Sequence, residues 1–279
     1  MAKNNYFQYL NGEIINDTEL LISPRDIGFT RGYSVFEYLR TYNGQPFKLS
    51  NYIERLLISA GLIGLEHSYN FEQIKEIVFQ LLKLNDDGNE KILKIYLSGG
   101  VSDSMSQNSE PTFILIIDVY KPKQQGYYET GVNMGLAKFV RYMPKAKSTN
   151  YIEGIRVLKQ KKILNIYETI YYSEEQVYEG SNCNIFAVKN GEIYTPKDNI
   201  LLGITREVLI VDLKDKINIK EFNFNLDFLL SADEVFITSC GKGVIPVVKI
   251  EDNIIGSGEV GRITKQVMKE FIEFVSRIQ

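Results

Sequence analysis

The chain has 279 residues, of which 44% are apolar and 24% charged, and a formal net charge of −3. That length can bury one large core or two medium ones, and a charge so near zero gives no global field to draw nucleic acid or anionic lipid. Two cysteines, Cys183 and Cys240, form neither a disulfide framework nor a metal-ligand spacing, and a lone histidine, His67, nearly removes histidine-based catalysis. The apolar runs, such as residues 113–117, fall far short of the roughly 20 residues of a membrane span. The opening MAKNNYFQYLNGEI has no long apolar core, so no signal peptide is expected. A cytoplasmic protein without nucleic-acid, membrane or metal partners is the expectation. The basic runs Lys121-Pro122-Lys123 and Lys159 to Lys162 read as solvated faces.

Residues 6–10 and 13–15 flank Asn11-Gly12, a pair suited to the positive φ of a tight hairpin turn, and residues 36–42 and 45–48 repeat the pattern around Asn43-Gly44. Ser50 is the expected cap of a helix in which Ile53, Leu56, Leu57 and Ala60 recur at helical spacing, ending at Gly61 or Gly64. A second amphipathic helix is predicted over 71–84. Strands at 91–98 and 112–120, separated by a polar Gly/Ser/Asn loop, complete a first α+β domain, residues 1–120. Residues 121–126 are polar and contain a proline, and read as a linker.

Residues 127–279 form the second domain in this reading. A strand is expected at 132–139, a helix at about 151–164, then strands at 168–172, 184–188 and 192–194. A helix opens at Thr205, strands follow at 234–238 and 244–250, and an amphipathic helix over 259–275 ends the pattern. The fold class is α+β in two domains of similar size, with the chemistry expected between them.

Three stretches carry chemical groups. In Pro144-Lys145-Ala146-Lys147-Ser148-Thr149-Asn150-Tyr151, a lysine stands beside a helix start; most such lysines are surface charges, but a desolvated one can form a Schiff base. Glu179 lies in a small, polar stretch, Tyr178 to Asn182, before an apolar strand, and by itself reads as a loop carboxylate. Gly203-Ile204-Thr205 opens a helix, where free backbone N–H groups and the helix dipole suit a phosphate, although a simple capped helix has the same pattern.

Taken together and in order, these stretches resemble the class IV aminotransferases. The resemblance begins at Arg31-Gly32-Tyr33-Ser34-Val35-Phe36-Glu37-Tyr38-Leu39-Arg40 and continues through Asn51-Tyr52-Ile53-Glu54-Arg55-Leu56. It returns at Lys147-Ser148-Thr149-Asn150-Tyr151, Glu179-Gly180-Ser181-Asn182 and Gly203-Ile204-Thr205-Arg206, and closes with Ala232 to Thr238 and on to Pro246. It implies fold type IV: a smaller N-terminal α/β sandwich-like domain, a larger C-terminal domain with a barrel-like sheet, and the cofactor, pyridoxal 5'-phosphate, between them.

By this resemblance Lys147 is the Schiff-base lysine and proton carrier, Glu179 pairs with the pyridine nitrogen, and Arg55, Ile204 and Thr205 hold the phosphate. Tyr151, taken as one helical turn beyond Lys147, bonds the ring hydroxyl, and Cys240 stands beside the cofactor. Arg31, Phe36, Lys94 and Gly241 border the substrate. The sequence departs from the common pattern at three places. Arg31 occupies a position usually aromatic in branched-chain enzymes, which points to a D-amino-acid donor held by a basic residue of the second subunit. The loop Gly99 to Ser104 lacks the arginine of typical D-amino-acid enzymes, and Ser239-Cys240-Gly241 replaces a hydroxyl-rich turn. The implied partners are an amino acid, a 2-oxo acid such as 2-oxoglutarate, and a second copy of the chain. Branched-chain L-amino acids remain the competing donors, aminodeoxychorismate lyase the competing reaction, and a non-catalytic binding protein the competing class.

Overall fold

In the computed structural model, which describes residues 6–107, 110–164 and 166–278, Asn11 and Gly12 take φ of 46° and 101° and close the hairpin of β1 (Phe7–Leu10) and β2 (Glu13–Asn16). The short helix α1 (Ile27–Arg31) then leads through Gly32, at φ 68°, into β3 (Ser34–Tyr42). Asn43 and Gly44 close a second hairpin onto β4 (Gln45–Pro46). Helices α2 (Leu49–Leu62) and α3 (Phe71–Leu84) precede β5 (Lys91–Ser98) and β6 (Thr112–Val119). These strands make one antiparallel sheet in the order β2-β1-β6-β5-β3-β4. Along β3 every second residue, Val35, Glu37, Leu39 and Thr41, is buried; α2 packs on β3 and α3 on β1 and β6, as a one-sided sheet requires. Ser50 is not the cap of α2. The hairpin delivers Lys48 in the left-handed region (φ 49°), so the helix starts at Leu49 and Ser50 falls inside its first turn.

The second unit comprises Pro122–Lys145 and Tyr151–Arg277, while Ala146–Asn150 belongs with the first. It runs through α4 (Gly126–Glu129), β7 (Val132–Lys138), α5 (Ile152–Leu164), β8 (Glu168–Tyr172), β9 (Val177–Gly180), β10 (Asn184–Lys189) and β11 (Glu192–Thr195). Then come α6 (Ile204–Glu207), whose turns widen over 208–212, β12 (Ile219–Glu221), α7 (Leu226–Leu230), β13 (Glu234–Ser239), β14 (Gly243–Ile250), β15 (Asn253–Ile254) and α8 (Arg262–Ser276). The main sheet has the order β12-β11-β10-β13-β14-β7-β8-β9, with β15 added on β14. The turn from β9 to β10, closed by Gly180 N–H on the Cys183 carbonyl, joins the last strand of that order to the third and curls the sheet into a half barrel. Met134, Ile170, Ile185, Ile237 and Ile245 fill its core. On β10 and β13 both faces are buried; Phe186 and Phe236 stack at 4.7 Å, and α6 and α8 pack on β13. Such strands read as continuous apolar runs rather than alternating ones.

Lys121, Lys123 and Lys159 are exposed; the side chains of Lys161 and Lys162, like residues 1–5, lie outside the described residues. No helix among the described residues is long and apolar enough to cross a membrane.

Asp26 fixes the start of α1. Its buried carboxylate accepts from Gly28 N–H (2.7 Å), Ser98 Oγ (2.8 Å) at the end of β5 and Thr112 Oγ1 (2.6 Å) at the start of β6. Asp26→Ala removes a helix cap and the acceptor of two buried hydroxyls, and is expected to lower stability by about 2–4 kcal/mol, read as a shift in urea midpoint.

Candidate active site

In the first unit the segment carrying Lys147 is extended rather than helical. Its backbone finds partners on β3 and α2: Phe36 N–H donates to the Lys147 carbonyl (2.9 Å), Thr149 N–H to the Ser34 carbonyl (3.1 Å), and Lys147 N–H to Ser59 Oγ (3.1 Å). The expected helical turn from Lys147 to Tyr151 is therefore absent, and α5 begins only at Ile152. The Lys147 ammonium sits 4.7 Å from the centre of the Phe36 ring, which stacks on Tyr96. One turn before Ser59 on α2, Arg55 makes a two-pronged ion pair with the fully buried Glu37, Nε to Oε1 at 2.8 Å and Nη2 to Oε2 at 2.7 Å. Lys147, Phe36 and Arg55 are thus held by one strand and one helix.

Arg31 and Lys94 are placed differently. Lys94 is paired with Asp118 at 2.6 Å. Arg31 ends α1, is exposed, and donates to the Thr30 carbonyl; among the described residues no carboxylate pairs with it.

In the second unit Glu179 lies on β9, 4% exposed, where sequence alone suggested a loop. Arg141 Nε donates to Glu179 Oε1 (2.9 Å), Leu201 N–H donates to Oε2 (3.2 Å), and Arg141 Nη2 donates to the Ser181 carbonyl. The Arg141 guanidinium lies 4.9 Å from the centre of the Tyr151 ring and 5.4 Å from that of Tyr171. Burial works against the charge of Arg141, but Glu179 and the two tyrosines outweigh it and hold its pKa above the ordinary value. Burial in turn pushes the Tyr171 hydroxyl up to about 12, with Arg141 opposing. Arg141 went unnoticed in the sequence; the one signal available was that an acid destined for burial needs a cation.

The start of α6 is tied into the same place. Asn184 Nδ2, at the head of β10, donates to the Leu201 carbonyl (2.8 Å). A Cβ on Gly203 would stand 2.1 Å from Asn184 Oδ1, so only glycine lets the chain run so close before Ile204 and Thr205, both buried. Across from Asn184 on β13, the buried Thr238 hydroxyl has no partner among the described residues. The turn bearing Cys240 and Gly241 joins β13 to β14 a few residues on, and Cys240 is half-buried. Glu179, Tyr151, Ile204, Thr205, Cys240 and Gly241 accordingly cluster around one end of the half barrel.

The family model of the class IV amino-transferases matches residues 34–250. The chain belongs to this family. A D-alanine aminotransferase of Staphylococcus haemolyticus is 33% identical over 274 residues, covering 96% of this chain and 97% of its own. The branched-chain aminotransferase of Thermoproteus uzoniensis, solved with norvaline, superimposes with a TM-score of 0.89 at 25% identity, over 98% of this chain and 95% of that one. The T.th. branched-chain amino acid aminotransferase, solved with pyridoxamine 5'-phosphate, gives 0.90 at 24% identity, over 98% and 95% of the two chains. This class IV aminotransferase is therefore an enzyme that moves an amino group between an amino acid and a 2-oxo acid, in a family whose cofactor is pyridoxal 5'-phosphate. The relatives favour that reaction over the lyase and binding-protein readings.

Removing one partner of a buried ion pair strands the other charge. Arg141→Met is expected to destabilise the folded chain by about 3–5 kcal/mol, and Arg141→Met with Glu179→Gln by clearly less, both measured by chemical denaturation of the apoprotein.

Proposed function

We propose that this class IV aminotransferase holds pyridoxal 5'-phosphate on Lys147 and takes its amino group from D-amino acids, passing it to a 2-oxo acid such as 2-oxoglutarate, as a homodimer in the cytoplasm. The donor set suits that cofactor: a primary amine, a guanidinium, helix-start amides with a threonine hydroxyl, and a buried carboxylate already oriented by Arg141 and Leu201 N–H. The unpartnered Thr238 hydroxyl beside Asn184 adds a donor that a bound group could satisfy.

The bound cofactor supplies an electron sink through its protonated pyridine ring. Lys147 would hold it through Nζ, and the same amine, when free, would take the proton from the substrate Cα. Glu179 would accept the pyridine N–H, and Arg141 keeps that carboxylate in one orientation. Arg55, the Ile204 amide and the Thr205 hydroxyl would hold the phosphate, and Tyr151 would bond the ring hydroxyl. Phe36 and Gly241 border the substrate.

One observation carries the choice of donor: Lys94 is neutralised by Asp118, whereas Arg31 is exposed and without a carboxylate partner among the described residues. Arg31 of one protomer is then the cation for the substrate carboxylate in the other. The relationship to a D-alanine aminotransferase supports the same choice. An apolar surface near α1 supports the dimer. Phe29 (71% exposed) and Met105 (83%) lie on segments that Ile27 N–H, bonded to the Gly100 carbonyl, and Ser102 N–H, bonded to the Arg25 carbonyl, tie together. The two free cysteines accord with a reducing compartment.

Single amino acids added to the cofactor-loaded protein, without oxo acid, test the donor through loss of the yellow absorbance. D-Alanine or D-glutamate is expected to bleach it. Bleaching by L-valine, L-leucine or L-isoleucine alone would replace the D-amino acids with branched-chain donors, and a yellow protein bleached by neither set would favour the lyase. Arg31→Ala is expected to raise KM for the donor by about tenfold or more while leaving cofactor affinity unchanged, as loss of a charge-assisted contact implies.

A further inference from the structure

The turn of residues 239–243 and the segment of residues 179–182, the end of β9 and the turn after it, both bear residues assigned above to cofactor or substrate. An ion pair between Lys242 and Glu168 on β8 links them through Ser181 and Asn182. Lys242 Nζ donates to Glu168 Oε2 at 2.7 Å and also to Asn182 Oδ1, and lies 5.2 Å from the centre of the Tyr167 ring. Ser181 Oγ donates to the other oxygen, Glu168 Oε1, and Ser181 N–H donates to the Thr169 carbonyl. Tyr128 OH donates to the Lys242 carbonyl at 2.8 Å, holding the turn from its backbone side as well. Glu168 is 1% exposed. Each element of the cluster thus meets a different part of the site: Glu168 opens β8, Ser181 and Asn182 follow Glu179, and Lys242 follows Cys240 and Gly241.

We propose that Lys242 and Glu168 are positioning residues, a brace that keeps the Cys240-Gly241 turn at a set distance from the end of β9 so that the turn, which follows Thr238 opposite Asn184 and hence lies near the start of α6, can meet the phosphate end of the cofactor. This rests on the reading that the chain holds pyridoxal 5'-phosphate. The ammonium is committed: two of its three N–H directions go to Glu168 and Asn182 and its flank to an aromatic face, so it braces rather than binds substrate. Burial opposes the Lys242 charge, yet Glu168, with smaller contributions from Cys183 and Tyr128, outweighs it and holds the Lys242 pKa above its ordinary value, so the ammonium keeps its charge. Its sequence position gave no hint of this, because Lys242 reads as one more polar residue of a tight turn.

The double variant Glu168→Gln/Lys242→Met replaces the charges with neutral groups of similar size and avoids stranding a buried carboxylate. Apoproteins would be titrated by equilibrium dialysis with pyridoxal 5'-phosphate and, separately, with pyridoxal, which lacks the phosphate, and their thermal midpoints recorded. The double variant is expected to lose about tenfold in affinity for the phosphorylated form, none for pyridoxal, with Lys242→Arg recovering most of the loss because it keeps the ion pair. Asn182→Ala, an exposed residue that removes one of the brace's bonds, is expected to show a smaller loss of the same kind at an unchanged midpoint. Unchanged affinity for pyridoxal 5'-phosphate in these variants, or equal losses for both ligands, would overturn the brace. Failure of the wild-type protein to bind either ligand would instead overturn the cofactor reading, and the brace with it.

Discussion

A carboxylate buried away from water must meet a cation or a set of donors, and this requirement organises both units of the chain. Glu37 on β3 meets Arg55 on α2, Glu179 on β9 meets Arg141, and Glu168 on β8 meets Lys242. Each pair fastens a strand to an element that carries a candidate site residue. The helix bearing Arg55 also bears Ser59, which receives the Lys147 amide; Arg141 sits against the Tyr151 ring; Lys242 ends the turn that holds Cys240 and Gly241. Removing the charges would loosen the elements that carry the candidate site residues. A transaminase needs its acid, amine and phosphate donors fixed to a fraction of an ångström, and buried charge pairs with several hydrogen bonds give that rigidity.

The hairpins, the amphipathic helices and most strands were legible because they obey local rules. Asn11-Gly12 and Asn43-Gly44 adopt the positive φ that their residue types favour, and α3 runs over Phe71–Leu84 as its apolar spacing predicts. The exceptions have tertiary causes. Ser50 lost the capping position because the preceding hairpin sets Lys48 in the left-handed region, and the cap falls there, two residues before Ser50. β9 is only Val177–Gly180, too short for its Val-Tyr pair to mark a strand alone, and pairing with β8 secures it. The segment at Lys147 is extended because β3 and α2 offer its backbone partners that an isolated helical turn would not.

Much of the candidate site could be named from motif order, since Lys147, Glu179, Ile204 and Thr205 stand in stretches whose spacing resembles one family. What the sequence could not reveal were the residues that hold these in place. Arg141 and Lys242 lie in irregular segments and Glu168 and Asn184 at the heads of strands, and their importance arises from partners elsewhere along the chain: Glu179 for Arg141, Glu168 for Lys242, the Leu201 carbonyl for Asn184. Lys94 shows the converse. It was singled out as a cation near the substrate, and a neighbour on the adjacent strand, Asp118, claims its charge.

Reductive trapping tests the central claim most directly. The protein would be mixed with pyridoxal 5'-phosphate, reduced with borohydride, digested, and the modified peptide identified by mass spectrometry. A single stoichiometric pyridoxyl group on Lys147 is the expected result. Modification at Lys145 or at scattered surface lysines, with Lys147 unlabelled, would contradict it.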